Sequence, residues 1–101
     1  MASLRVLRRQ EKRLYLVKKY RHKRLFLKAI MKNKNISLVE KEKIQILLQK
    51  LPRDSDPCRL RNRCFLTGRG KGVYSFVGLC RNMFRFYAMN GDISGIRKSS
   101  W

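Results

Sequence analysis

The chain has 101 residues, room for one small domain, and carries 26 Lys and Arg against 6 Asp and Glu, a net charge of +20. Self-repulsion on that scale opposes compaction unless a polyanion neutralises it, while a hydrophobic content of 44% is too high for a wholly disordered tail. Such a chain is expected to fold fully only against its partner, with nucleic acid first and an anionic membrane surface second. No run of about 18 apolar residues exists, so no segment is expected to span a bilayer. Three cysteines, an odd number, suggest no disulfide framework.

Residues 1–34 hold 13 of the 26 basic residues and one acid, Glu11, with no Gly or Pro. A long basic helix is predicted here, as part of the mature protein rather than a transit peptide, because the pattern runs unbroken to Lys34. Leu14, Val17, Leu25, Leu27, Ile30 and Met31 form an irregular apolar stripe, as expected of a helix lying more on RNA than on a protein core. Asn33–Asn35 is the break. Ser37-Leu38-Val39-Glu40 then reads as a capping box, and Ile44, Leu47, Leu48 and Leu51 follow on one face of a second helix that Pro52 ends. That face is expected to pack on the first helix as a helical hairpin.

Arg53–Pro57 is a polar connector with turn chemistry. Arg59, Arg61 and Arg63 stand at alternate positions, which in an extended strand send side chains to one face. A turn follows in which Gly68, Gly70 and Gly72 alternate with Arg69 and Lys71, glycine allowing close backbone approach and positive φ. A guanidinium row beside an open glycine backbone suits a polyphosphate surface. A short hairpin is predicted from Cys64–Thr67 and Val73–Phe76. A third helix is predicted over about Leu79–Asn90, with Asn90-Gly91 as its C-cap. Phe76, Phe86 and Tyr87 are the expected small core. The tail Ile96–Trp101 is basic and ends in the only tryptophan, which is expected to touch RNA or a neighbouring protein.

Catalytic chemistry has little support. His22 is the sole histidine, in a Lys/Arg-rich helix, and is expected to be solvated or phosphate-facing rather than a general base. The glycines fit neither nucleotide-binding fingerprint. Cys64 and Cys80 would head the two halves of a zinc ribbon if Thr67 and Met83 were cysteines. A hydroxyl and a thioether do not replace thiolates, so no metal and no other cofactor is expected, and the two cysteines read as small buried side chains.

Leu51-Pro52-Arg53, Arg61-Asn62-Arg63-Cys64, Thr67-Gly68-Arg69, Gly78-Leu79-Cys80-Arg81 and Gly95-Ile96-Arg97-Lys98-Ser99-Ser100-Trp101 together resemble the ribosomal protein S-fourteen family of the small subunit. The resemblance covers essentially the whole chain and is most specific in the second half. Its length resembles the long zinc-independent branch. The chain departs from the usual long form at Gly70, where proline is common, and at Cys58, usually Ser or Thr. Val73-Tyr74, Phe76 and the Ser-Ser-Trp end look closest to mitochondrial versions, with plastid or bacterial origin as the alternative. The resemblance implies a structural, non-enzymatic constituent of the small-subunit head near the decoding region. Its partners would be ribosomal RNA and ribosomal proteins three, ten and nineteen, with no membrane and no small-molecule substrate.

The expected architecture is α+β and mostly helical. A basic helical hairpin over 1–52 is followed, over 53–101, by a zinc-ribbon-derived β-hairpin, helix and tail without the metal, the whole forming one RNA-dependent unit. The expected RNA-binding residues are Arg53, Arg59, Arg61, Asn62, Arg63, Arg69, Lys71, Arg81, Arg97, Lys98 and Trp101. A non-ribosomal nucleic-acid-binding protein is one rival. A membrane-active basic protein is another, and would need a cleaner apolar stripe. A zinc-dependent nucleic-acid enzyme would need the missing ligands.

Overall fold

The computed structural model describes residues 1–101. Helix α1 runs Leu4–Lys32 and α2 Leu38–Gln49; two 3₁₀ turns follow at Arg53–Ser55 and Pro57–Arg59. Strands β1 (Val73–Tyr74) and β2 (Leu79–Cys80) pair antiparallel, and helix α3 (Arg81–Met89) comes directly after β2. The architecture is therefore α+β and mostly helical. The chain forms two compact units, Arg8–Leu60 and a second made of Met1–Leu7 with Arg61–Trp101. No helix is long and apolar enough to cross a membrane.

In the Arg8–Leu60 unit, α1 turns a regular stripe inward. Gln10, Arg13, Leu16, Val17, Tyr20, Arg24, Leu27, Ile30 and Met31 are the shielded positions, spaced three and four apart. The sequence-predicted stripe differs because Gln10, Arg13 and Arg24 occupy inward positions, whereas Leu14 and Leu25 are exposed. Polar residues on the buried face broke the apolar periodicity. The two arginines hold the connector after α2: Arg13 donates to Asp54 at 3.3 Å, and Arg24 donates to the Ser55 hydroxyl at 2.9 Å and the Pro52 carbonyl at 3.1 Å. Ser55, only 1% exposed, is the buried polar residue this arrangement satisfies.

Helix α2 starts as its sequence implies. Ser37 is its N-cap and accepts from the Glu40 amide at 3.4 Å. The helix stops at Gln49, two residues before Leu51. Leu51 is buried and Ile44 and Leu48 are half-buried, but Leu47 falls at the edge of the stripe and is 50% exposed.

In the other unit the hairpin lies later than the sequence pattern suggests. Val73 pairs with Cys80 and Tyr74 with Leu79. Residues 64–69 form a tight knuckle instead of a strand: the Gly68 amide bonds the Cys64 carbonyl and the Cys64 amide bonds the Arg69 carbonyl, both at 2.9 Å. Gly68 closes the knuckle at φ 70°, a left-handed conformation that strains residues with a Cβ. The Phe65 amide joins the knuckle to the Gly78 carbonyl at 2.9 Å. Helix α3 consequently begins at Arg81, because Leu79 and Cys80 belong to β2. It ends in a Schellman arrangement, the Asp92 amide bonding Tyr87 and the Gly91 amide bonding Ala88.

The core of this unit is Cys64 and Cys80, each 2% exposed, not the expected aromatics. Phe76 and Phe86 are 71% and 57% exposed. A chain of 101 residues with this charge has too few apolar neighbours to enclose large rings, so small thiols fill the centre.

Candidate nucleic-acid interface

Around the glycine turn, the chain folds its guanidinium groups onto its own carbonyls. Arg61 Nε donates to Gly70 O at 2.6 Å, and Arg63 Nη1 donates to Gly68 O at 3.0 Å. Gly70 has no positive φ, but a Cβ there would lie 3.1 Å from Arg61 and 3.2 Å from Arg63. The glycine therefore leaves space for two arginines to cross the turn. Arg69 is half-buried, and Asn62 and Lys71 are exposed. Arg61, Asn62, Arg63, Arg69 and Lys71 thus gather at one turn, although Arg61 and Arg63 are tied to carbonyls rather than forming the expected open row.

Arg59 is placed differently. It sits in the second 3₁₀ turn and pairs with Asp54 at 2.8 Å. Arg53, in the first 3₁₀ turn, is exposed. Asp54 therefore faces both Arg13 and Arg59, and Asp56 faces Arg24 at 3.9 Å. The Cys58 amide holds the Asp56 carboxyl below its ordinary value against partial burial, and the Arg24 and Lys28 charges act in the same direction. Two of the chain's six acids thus orient arginines.

The second cationic cluster lies where α3 meets the C-terminal segment. Arg81, Arg97, Lys98 and Trp101 line one groove there. Arg85, Tyr74 and Phe84 line it too, and none of the three is among the expected RNA contacts. The spacing of Arg81 and Arg85 by four on a predicted helix was the signal that could have found Arg85.

The ribbon positions do not fit zinc. Cys64 and Cys80 supply thiols, but Thr67 brings its hydroxyl 3.8 Å from Cys80 Sγ. No cluster of three or more His, Cys, Asp or Glu side chains occurs, whereas structural zinc takes four such ligands. The knuckle instead serves sulfur. Burial pushes the Cys64 thiol up, but the Thr67 hydroxyl and the amides of Cys80, Thr67 and Leu66 outweigh burial and bring it to about 6.

Comparison with known proteins decides what this scaffold is. The family model for ribosomal protein S14p/S29e matches residues 47–100, and relatives match from end to end. The chain belongs to the ribosomal protein S14p/S29e family. Among S14p/S29e relatives, it is 48% identical over 101 residues to "Small ribosomal subunit protein uS14c" of Euglena longa, covering all of both chains. It is 50% identical, again over the whole of both, to "Small ribosomal subunit protein uS14" of Xylella fastidiosa and of Xanthomonas campestris pv. campestris. Similarity to both a uS14c protein and bacterial uS14 proteins makes an organellar or bacterial ribosome the setting that fits.

Proposed function

We propose that this chain is a structural, non-enzymatic constituent of the small ribosomal subunit that holds ribosomal RNA in the subunit head. The end-to-end similarity to proteins named for that subunit carries the reading. The charge distribution supports it: Lys and Arg exceed Asp and Glu by 20, and cationic side chains gather at the glycine turn and along α3 and the tail. Their work is electrostatic and geometric. Guanidinium groups neutralise phosphate where RNA strands crowd, and already directed arginines lose less freedom when they bind.

The finer reading places the chain near the decoding region beside ribosomal proteins three, ten and nineteen, in the mitochondrial small subunit. Arg53, Arg59, Arg61, Asn62, Arg63, Arg69, Lys71, Arg81, Arg97, Lys98 and Trp101 are its RNA contacts. Residues 1–52 and 53–101 act as one RNA-dependent unit. The second part descends from a zinc ribbon, as the knuckle at Cys64–Gly68 and the placement of Cys80 beside it suggest.

Sedimentation of the tagged chain with small subunits tests the assignment, and absence from them would overturn it. Arg63→Ala should lower incorporation by an amount corresponding to about 2 kcal/mol, whereas Lys43→Ala on exposed α2 surface should leave it near wild type. Equal incorporation would mean that charge acts diffusely and that the glycine turn is not the docking element.

A further inference from the structure

The groove between α3 and the C-terminal segment has a composition that phosphate binding alone does not need. It measures about 680 Å³ and has no acidic side chain on its walls. Arg81, Arg85, Arg97 and Lys98 supply four cations, and Tyr74, Phe84 and Trp101 supply flat apolar surface. Tyr74 and Phe84 form a fixed pair, ring centroids 4.9 Å apart at 58°. Arg81 is anchored by its amide to the Gly72 carbonyl at 2.8 Å. Trp101, fully exposed, has no place in a core.

We infer that this groove takes a single nucleotide unstacked from an RNA strand. Its base lies against Trp101 and the Tyr74–Phe84 pair, and its flanking phosphates lie on Arg81, Arg85 and Arg97. The inference rests on the RNA-binding reading above and names what one part of that surface holds. An extruded base needs a planar apolar surface within reach of cations, and the groove is of a size that small ligands occupy, roughly 300–1,000 Å³. An acidic peptide would use the cations and leave the aromatic wall idle.

Trp101 is the only tryptophan in the chain, so its emission reports on the groove directly. The full chain is titrated with a single-stranded uridine oligomer, with an abasic ribose-phosphate oligomer of equal length, and with polyglutamate. Binding is followed separately by anisotropy of the labelled polymer. The uridine oligomer should quench Trp101 strongly, and the other two should bind with little quenching. Trp101→Leu and Tyr74→Leu should each lower the preference for uridine over abasic oligomer about tenfold, and the double variant should lose no more than either alone. Raised salt should weaken all binding yet leave that preference intact, because stacking releases no counterions. RNA binding with equal preference in all variants, or equal quenching by all three polymers, would overturn the inference while leaving the ribosomal assignment in place. A chain that binds no RNA would overturn both.

Discussion

Arg24 and Ser55, 31 residues apart in sequence, meet in a hydrogen bond of 2.9 Å from the guanidinium Nε to the hydroxyl. A second guanidinium nitrogen of Arg24 reaches the Pro52 carbonyl, which also accepts from the Ser55 hydroxyl. One cation thereby satisfies a buried hydroxyl and adds a further donor to a carbonyl that already accepts from the Ser55 amide within the 3₁₀ turn.

Removing that group should loosen the connector. Arg24→Ala is expected to cost roughly 1–3 kcal/mol, seen as about fivefold or more faster hydrogen exchange at the Ser55 amide, which bonds the Pro52 carbonyl. Arg24→Lys should recover little, because an ammonium lacks the planar fork that reaches both acceptors. Exposed Arg53→Ala serves as the control and should leave exchange unchanged. Unaltered protection in Arg24→Ala would show that the turn stands without its clasp.

Two glycines of similar backbone conformation should differ in their tolerance of alanine. Gly68 and Gly78 have φ of 70° and 68°, so each substitution carries about 1 kcal/mol of left-handed strain. A Cβ on Gly68 would also stand 2.7 Å from Leu7 Cδ2, whereas one on Gly78 meets nothing within 4 Å. Gly68→Ala should therefore destabilise more, by chemical denaturation in moderate salt. Paired with Leu7→Ala, it should show favourable coupling, which Gly78→Ala should not.

Cys64 should ionise in the folded chain at a pH where an ordinary thiol does not. Its thiol is held at about 6 against an ordinary 9.0. A folded value below the unfolded one means the unfolded chain binds more protons between pH 6 and 9, so stability rises with pH across that window. The contribution is complete above about 9 and is lost as pH falls through about 6. Thiolate absorbance should titrate near pH 6 and move up in Thr67→Val, which deletes the hydroxyl donor. Absence of a thiolate signal near pH 6 in the folded wild type, or its persistence in Cys64→Ala, would refute the knuckle's role.

Metal content should follow the ligand count. The isolated wild-type chain should hold no stoichiometric zinc, because two thiols are accompanied by a hydroxyl and a thioether. Thr67→Cys with Met83→Cys would supply the four thiolates that structural zinc takes, and this double variant should bind one zinc per chain by elemental analysis. Tight zinc in wild type, lost on Cys64→Ala, would contradict the donor chemistry described above.

What could be read from the sequence divides along physical lines. Ser37 as a cap, the Asn33–Asn35 break and the Asn90-Gly91 end rest on local backbone chemistry, and they stand where the residues place them. The hairpin depends on a long-range choice. Phe65 joins Gly78 through its amide and Cys64 packs with Cys80 in the core, so residues 64–67 curl into a knuckle although a short apolar run before a glycine turn suits a strand. The inward face of α1 was hidden because Arg13 and Arg24 sit where apolar residues were sought. Their role becomes visible only once Asp54 and Ser55 are folded opposite them. For the site, composition and the Arg-Gly pattern located the glycine turn, while the aromatic wall at Tyr74 and Phe84 arises from packing between β1 and α3.

Arg13 and Arg24 also set a position along an axis. Eleven residues of helix separate them by about 16 Å, yet they converge on Asp54 and Ser55, neighbours in the chain whose Cα atoms lie about 3.8 Å apart. They therefore pull on the connector from opposite directions. Sliding α1 toward either of its ends slackens one tether and stretches the other, so a displacement by one helical turn, which an apolar stripe repeating every three or four residues would tolerate, is opposed both ways. A long cationic rod with a thin core is thereby held in a single register by two guanidinium groups.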